Sequence, residues 1–225
     1  MREGVRVKIE EWVSRLRAEL LAAFGERLVY LGLQGSYRRG EADDASDIDI
    51  MVVLDTVCAA DLEQYRGIIG RMEEAEKACG FIGGRAELLH WPKHELFLLV
   101  HETQDCYGCL KDLIPDFSRE DIVDFVRINT ANLYHALCHG YLYGDCLASH
   151  LKGCYKAVFY ILQNLHYLQT GVFIATKRGL LDTLCGDDYA VLNTAVRLRA
   201  GEQAKPQESF ALLLQWCQTV LCQCA

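Results

Sequence analysis

The sequence predicts an α+β chain, with a mixed β-sheet and flanking helices over residues 1–116 and an all-α helical bundle over residues 117–225. Three observations carry this. Arg27 to Leu33 and Asp47 to Asp55 are short apolar runs bounded by turn residues, the pattern of buried strands. Amphipathic helical segments stand before and after them. Beyond Pro115 the strand-like runs stop, and one helical segment follows another to the end.

The order of elements follows from periodicity and punctuation. Val5 to Phe24 places Val7, Ile9, Trp12, Val13, Leu16, Leu20 and Leu21 at helical spacing, and Gly25 stops the helix. The first strand ends at Gly35-Ser36. A polar segment leads to the second strand, and Ala60 to Lys77 reads as a helix ending near Gly80. Phe81 to Gly84 opens another extended segment. Glu95 to His101 (Glu-Leu-Phe-Leu-Leu-Val-His) is expected as a buried strand. Ser118 begins the second half as an N-cap with Asp121 at N3, a short-armed version of the capping box. Helices are expected over Glu120 to His139, Ala148 to Gln169, Thr176 to Leu184, Asp188 to Arg199 and Gln207 to Cys222.

Composition excludes several classes. Half of the 225 residues are apolar, enough for a sizeable core. The formal net charge is −8, with no basic stripe, which disfavours a nucleic-acid partner because phosphate neutralisation needs clustered Lys and Arg. An acidic chain suits a cationic small molecule better. No apolar run reaches the length of a membrane span, and Met1 to Leu21 is interrupted by charges throughout, so neither membrane insertion nor an export signal is expected. The eleven cysteines are odd in number and scattered, which fits reduced thiols in a cytoplasmic protein. Cys106-Tyr107-Gly108-Cys109 has the spacing of half a zinc site, but its complement is missing, since Cys222-Gln223-Cys224 is spaced wrongly. His135 and His139 share a helical face at i, i+4, but Ala136 stands where a zinc-protease helix carries Glu, so they read as helix-surface or interdomain histidines.

The chemistry is concentrated between Gly35 and Ile50. Gly35-Ser36 is followed by ten residues and then Asp47-Ile48-Asp49, which enters the apolar run Ile50 to Leu54. On a strand, Asp47 and Asp49 point to the same face. Two carboxylates held side by side repel unless a cation lies between them, and a hard divalent ion with oxygen ligands is the natural occupant. A Gly-Ser turn lets backbone N–H groups approach a phosphate, with the serine hydroxyl as a further donor.

These residues resemble the signature of the nucleotidyltransferase superfamily: Gly-Ser, about ten residues, then Asp-apolar-Asp. Gln34 departs from the usual apolar residue before the glycine. The second half resembles the helical domain of streptomycin/spectinomycin-type aminoglycoside adenylyltransferases. The carrying stretch is Ile161-Leu162-Gln163-Asn164-Leu165-His166-Tyr167-Leu168-Gln169-Thr170-Gly171, then Ile174-Ala175-Thr176-Lys177. The resemblance implies a catalytic domain over 1–116 and a helical domain over 117–225 that closes on substrate and nucleotide.

It also implies AMP transfer from ATP to a hydroxyl of a small acceptor, such as a cationic aminoglycoside, by in-line displacement of pyrophosphate. Asp47 and Asp49 would hold Mg²⁺, two ions in all. Gly35, Ser36 and Ser46 would seat the nucleotide phosphates, with Arg38, Arg39 and Lys177 as cationic contacts. A third carboxylate is expected, as catalytic residue and metal ligand. Glu95, opening its strand, is the first choice, and Glu87 and Glu102 are the alternatives. Glu95 and Glu102 have opposite parity, so one strand cannot present both to one face. The alternative reading is an antitoxin-like or regulatory protein of the same fold that acts on or binds a protein partner.

Overall fold

A computed structural model of the chain describes residues 7–202 and 204–223. The chain divides into two compact units, Met1–Asp116 and Phe117–Ala225.

In the first unit, α1 (Ile9–Phe24) buries the stripe Trp12, Val13, Leu16, Leu20 and Phe24 and ends at Gly25, whose φ of 55° suits glycine. The expected start at Val5 lies outside the described residues, and Val7 and Lys8 are not helical. β1 (Leu28–Leu33) follows, then a one-turn helix α2 (Gly35–Arg38), then β2 (Ile48–Leu54), antiparallel to β1. α3 (Ala59–Ile69) leads to β3 (Ala78–Gly84), which runs parallel to β2. α4 (Arg85–Leu89) and α5 (Lys93–Glu102) precede β4 (Gln104–Tyr107), antiparallel to β1. The mixed sheet has the order β3-β2-β1-β4.

Strand alternation divides the core. Ile48, Ile50, Val52 and Leu54 join the buried residues of α1 on one face. Met51 and Val53 join Tyr30, Leu88, Leu110 and Leu113 on the other. Asp49 has the parity of Met51 and Val53 and therefore stands on this second face.

Two expectations are corrected. α3 stops at Ile69, not near Lys77. Gly70 caps it, and the turn beyond is tied back to α1, where the Trp12 indole N–H donates to the Glu73 carbonyl at 2.7 Å and Arg15 donates to the Arg71 carbonyl at 3.3 Å. The expected strand Glu95–His101 is helical, lying within α5, and the edge strand forms only afterwards, at Gln104. A short apolar run does not by itself distinguish a strand from a buried helix. Here Pro92 sets the helical entrance, the run is Leu- and Phe-rich, and Leu96 and Phe97 are the fully buried face.

Trp12 offers a check on this packing. Trp12→Phe keeps the apolar contact but removes the hydrogen bond, an expected cost of about 1 kcal/mol. Trp12→Ala is expected to cost about 3–5 kcal/mol. Urea denaturation of both variants measures the difference. Equal stability of parent and Trp12→Ala would contradict the burial described.

The second unit is helical throughout: α6 (Arg119–Tyr143), α7 (Leu147–Thr170), α8 (Lys177–Leu181), α9 (Gly186–Arg199) and α10 (Pro206–Gln223). Ser118 and Asp121 form the capping box at the head of α6. Gly171, left-handed at φ 75°, ends α7 after Thr170, and Thr176 caps α8 by accepting from the Gly179 N–H at 3.1 Å. The core gathers Leu133, Leu137, Val158, Leu162, Leu192 and Trp216, whose indole donates to Asp188 at 2.6 Å. No helix among the described residues is long and apolar enough to cross a membrane. The described cysteines are free thiols, and Cys224 lies outside the described residues.

Candidate active site

The site starts where β1 ends. The Gln34 N–H donates to the Asp49 carbonyl at 2.8 Å, which locks the turn onto β2. Gly35 then takes φ 68° and sends the chain into α2, whose first turn contains the buried Ser36. The reason for glycine is direct: a Cβ at this position would lie 1.9 Å from Asp49 Oδ2. Backbone and carboxylate touch, with no room for a side chain between them.

The segment between α2 and β2 is held by its own polar groups. The Ser46 hydroxyl accepts from the Asp43 N–H at 2.9 Å and donates to Asp43 Oδ1 at 3.0 Å, while the Ala45 N–H donates to the same oxygen at 3.1 Å. This side-chain turn delivers the chain to Asp47. Ser46 is buried, so its place is structural as well as next to the carboxylates. Asp47 is exposed and Asp49 half-buried. Burial pushes the Asp49 carboxyl above the usual range, Asp47 pushes it further, and Arg39 pulls it back.

The two arginines diverge. The Arg39 side chain is 3 % exposed and ion-paired with Glu41 at 3.1 Å and with Glu102. Arg38 is partly exposed, and its charge reaches His101, which burial holds below the ordinary histidine pKa with Lys111 and Arg38 adding to the shift.

The three third-acid candidates separate clearly. Glu95, the first choice, sits in the first turn of α5 and not on a strand. It accepts from the Trp91 indole at 2.7 Å and faces His94 at 3.9 Å, so Trp91 anchors it locally. Glu87 is exposed on α4, beyond Gly84, and Gly84 pairs with Leu54 at the end of β2 away from Asp49. Glu102 closes α5 immediately before β4, is buried, and is paired with Arg39. One further tie is not legible from the sequence pattern: Gln34 Nε2 donates to the Thr103 hydroxyl at 2.8 Å, which joins the Gly-Ser turn to the α5–β4 junction. The polar residue at 34 is its one visible signal.

In the second unit, Lys177 starts α8 with its ammonium 4.6 Å from the centre of the Phe159 ring. His135 and His139 lie exposed on α6 with ring centres 6.2 Å apart.

The donor set suits a hard divalent cation. Among the described residues no three His, Cys, Asp or Glu side chains form a ready metal cage. Mg²⁺ is characteristically held by one or two carboxylates plus substrate phosphates. Asp47 and Asp49 are the carboxylates that could supply the first part, and the turn at Gly35 packs against Asp49.

Residues 13–87, from α1 to α4, match the nucleotidyltransferase domain family. The fold is similar to that of spectinomycin adenyltransferase AAD(9) from Enterococcus faecialis, solved with ATP and spectinomycin. The TM-score is 0.61 at 15% identity, over 94% of this chain and 98% of that one. No curated protein matches the chain significantly in sequence.

Proposed function

We propose that this member of the nucleotidyltransferase superfamily, whose family domain spans residues 13–87, transfers AMP from ATP to a hydroxyl of a small, cationic acceptor. The observation that carries the reading is the contact of Gly35 with Asp49, which sets the Gly35-Ser36 turn against a carboxylate of β2, two residues after Asp47. Asp47 and Asp49 would hold Mg²⁺, which when bound neutralises phosphate charge and activates the in-line attack. Gly35 and Ser36 would hold the β and γ phosphates, and Arg38 would add a charged contact to them. Ser46 supports Asp47 through the turn it closes with Asp43.

Glu102 is the best supported third carboxylate, since the Arg39 charge acts on both Glu102 and Asp49. It would take the proton of the attacking hydroxyl. Glu95 is replaced in this role because Trp91 and its helical position engage it elsewhere. Lys177 is assigned to the nucleotide on the family resemblance alone.

The adenylyl donor and the acceptor class are supported by the fold likeness and by the net charge of −8. The test is pyrophosphate release, with mass spectrometry of products, from ATP and Mg²⁺ across aminoglycosides, spectinomycin and lincosamides. An AMP-modified aminocyclitol or aminoglycoside is expected, its affinity weakening as salt rises because exposed charges are screened within about 10 Å at 0.1 M. No pyrophosphate release with any acceptor or nucleotide would sink the reading.

A further inference from the structure

We infer that Arg39 is a positioning residue: it holds Glu102 against the phosphate turn and does not itself bind the triphosphate. This rests on the nucleotidyl-transfer reading and refines which cation does what within that site.

Arg39 leaves α2 at its C-cap, one residue after the helix that Gly35 opens. Its side chain turns inward to 3 % exposure, and Glu102, its partner, has a side chain 8 % exposed. Glu41 takes a second edge of the guanidinium at 3.1 Å. A planar, permanently charged fork serves two carboxylates at once in a way that an ammonium cannot. A buried carboxylate without such a partner would lose its charge or its place. The Gln34–Thr103 hydrogen bond runs alongside, so two consecutive residues of the α5–β4 junction are gripped from the two ends of α2. Arg38, by contrast, is partly exposed and makes no side-chain hydrogen bond or ion pair among the described residues, which leaves it to meet phosphate. The adjacent arginines thus have different work, although their sequence context is the same.

The two roles predict different measurements. Removing a group that binds phosphate raises the dissociation constant for nucleotide, whereas removing a positioning residue lowers turnover at unchanged affinity. The full chain is titrated with a fluorescent ATP analogue in Mg²⁺. Arg38→Gln is expected to weaken binding roughly tenfold, the effect of deleting a charge-assisted hydrogen bond, and Arg39→Gln by less than about threefold. Unfolding by urea then compares Arg39→Gln, Glu102→Gln and the double variant. If each residue acts through the other, the double variant is no less stable than the weaker single one. Arg39→Lys keeps a cation and is expected to recover part of the stability, which covers the case in which Arg39→Gln folds poorly. Pyrophosphate release with an aminoglycoside acceptor, or with water as slow acceptor, should fall in Arg39→Gln with KM for ATP unchanged.

A tenfold loss of nucleotide affinity in Arg39→Gln, or additive effects in the double variant, would overturn the assignment. Asp49→Ala separates this from the broader reading. If Asp49→Ala still transfers at the parental rate, the site itself is wrong. If it is inactive while Arg39→Gln loses nucleotide affinity, only the positioning role falls.

Discussion

Asp49→Ala and Asp47→Ala are each expected to lower nucleotidyl transfer about 10³-fold, roughly 4 kcal/mol of transition-state stabilisation, while the fold persists. Asp47 immediately precedes β2 and Asp49 lies within it, and neither contributes apolar core. Asp49 also works against its own ionisation: burial and Asp47 raise its pKa in the folded chain. A carboxyl of this kind holds its proton more tightly folded than unfolded. Stability is therefore lost as pH rises from the ordinary aspartate range through the raised value, and the loss persists at neutral pH. Asp49→Asn removes that cost. In metal-free buffer at pH 7 the variant should be as stable as the parent or more so, with the advantage shrinking toward about pH 4, where free aspartate takes up its proton. Urea denaturation at the two pH values measures this. Parental turnover of either Ala variant at saturating Mg²⁺ would refute the site, and a large loss of stability at pH 7 would refute the electrostatic account.

Gly35→Ala is expected to cost stability and activity together, which sets it apart from the aspartate variants. The backbone sits at φ 68°, where an L side chain costs about 1–2 kcal/mol. The new methyl would meet Asp49 Oδ2 at 1.9 Å, so the carboxylate or the turn must move, a further cost of about 1–3 kcal/mol by analogy with overpacked cores. Gly40→Ala supplies the comparison. Its φ is also 68°, but nothing lies within 4 Å of the added Cβ, so only the backbone cost should appear and transfer should continue. Thermal or urea unfolding of the two variants, with ATP-analogue binding beside it, separates contact from conformation. If Gly35→Ala binds nucleotide and unfolds like Gly40→Ala, the close approach of turn and carboxylate does not occur.

The proposed preference for Glu102 over Glu95 rests on secondary structure that the sequence left open. Each glutamate borders the same apolar run, and the parity argument applies only if that run is a strand. As a helix, Lys93–Glu102 sets the two glutamates nearly two turns and about 10 Å of rise apart, so Glu95 turns to Trp91 while Glu102 arrives at the entrance of β4. Helix and strand compete for short Leu- and Phe-rich segments, and tertiary burial decides between them. The third-acid assignment follows that decision and could not precede it.

What the sequence by itself determined is local and stereochemical. The α+β class, β1, β2, the turn at Gly35 and the capped helices of the second half all follow from periodicity, caps and positive-φ glycines acting within a few residues. Only the tertiary structure decided what distant segments do to one another. It matched Gln34 to Thr103 across 69 residues and Arg39 to Glu102 across 63, and it tied the turn after α3 to α1 through Trp12 and Glu73. Such pairings depend on which polar groups are left inside once strands align, and a buried charge must find whatever partner the fold brings near it. Two adjacent arginines alike in sequence thus part company, one partly exposed and one buried in ion pairs with two glutamates, because only the second meets carboxylates that the fold brings beside it.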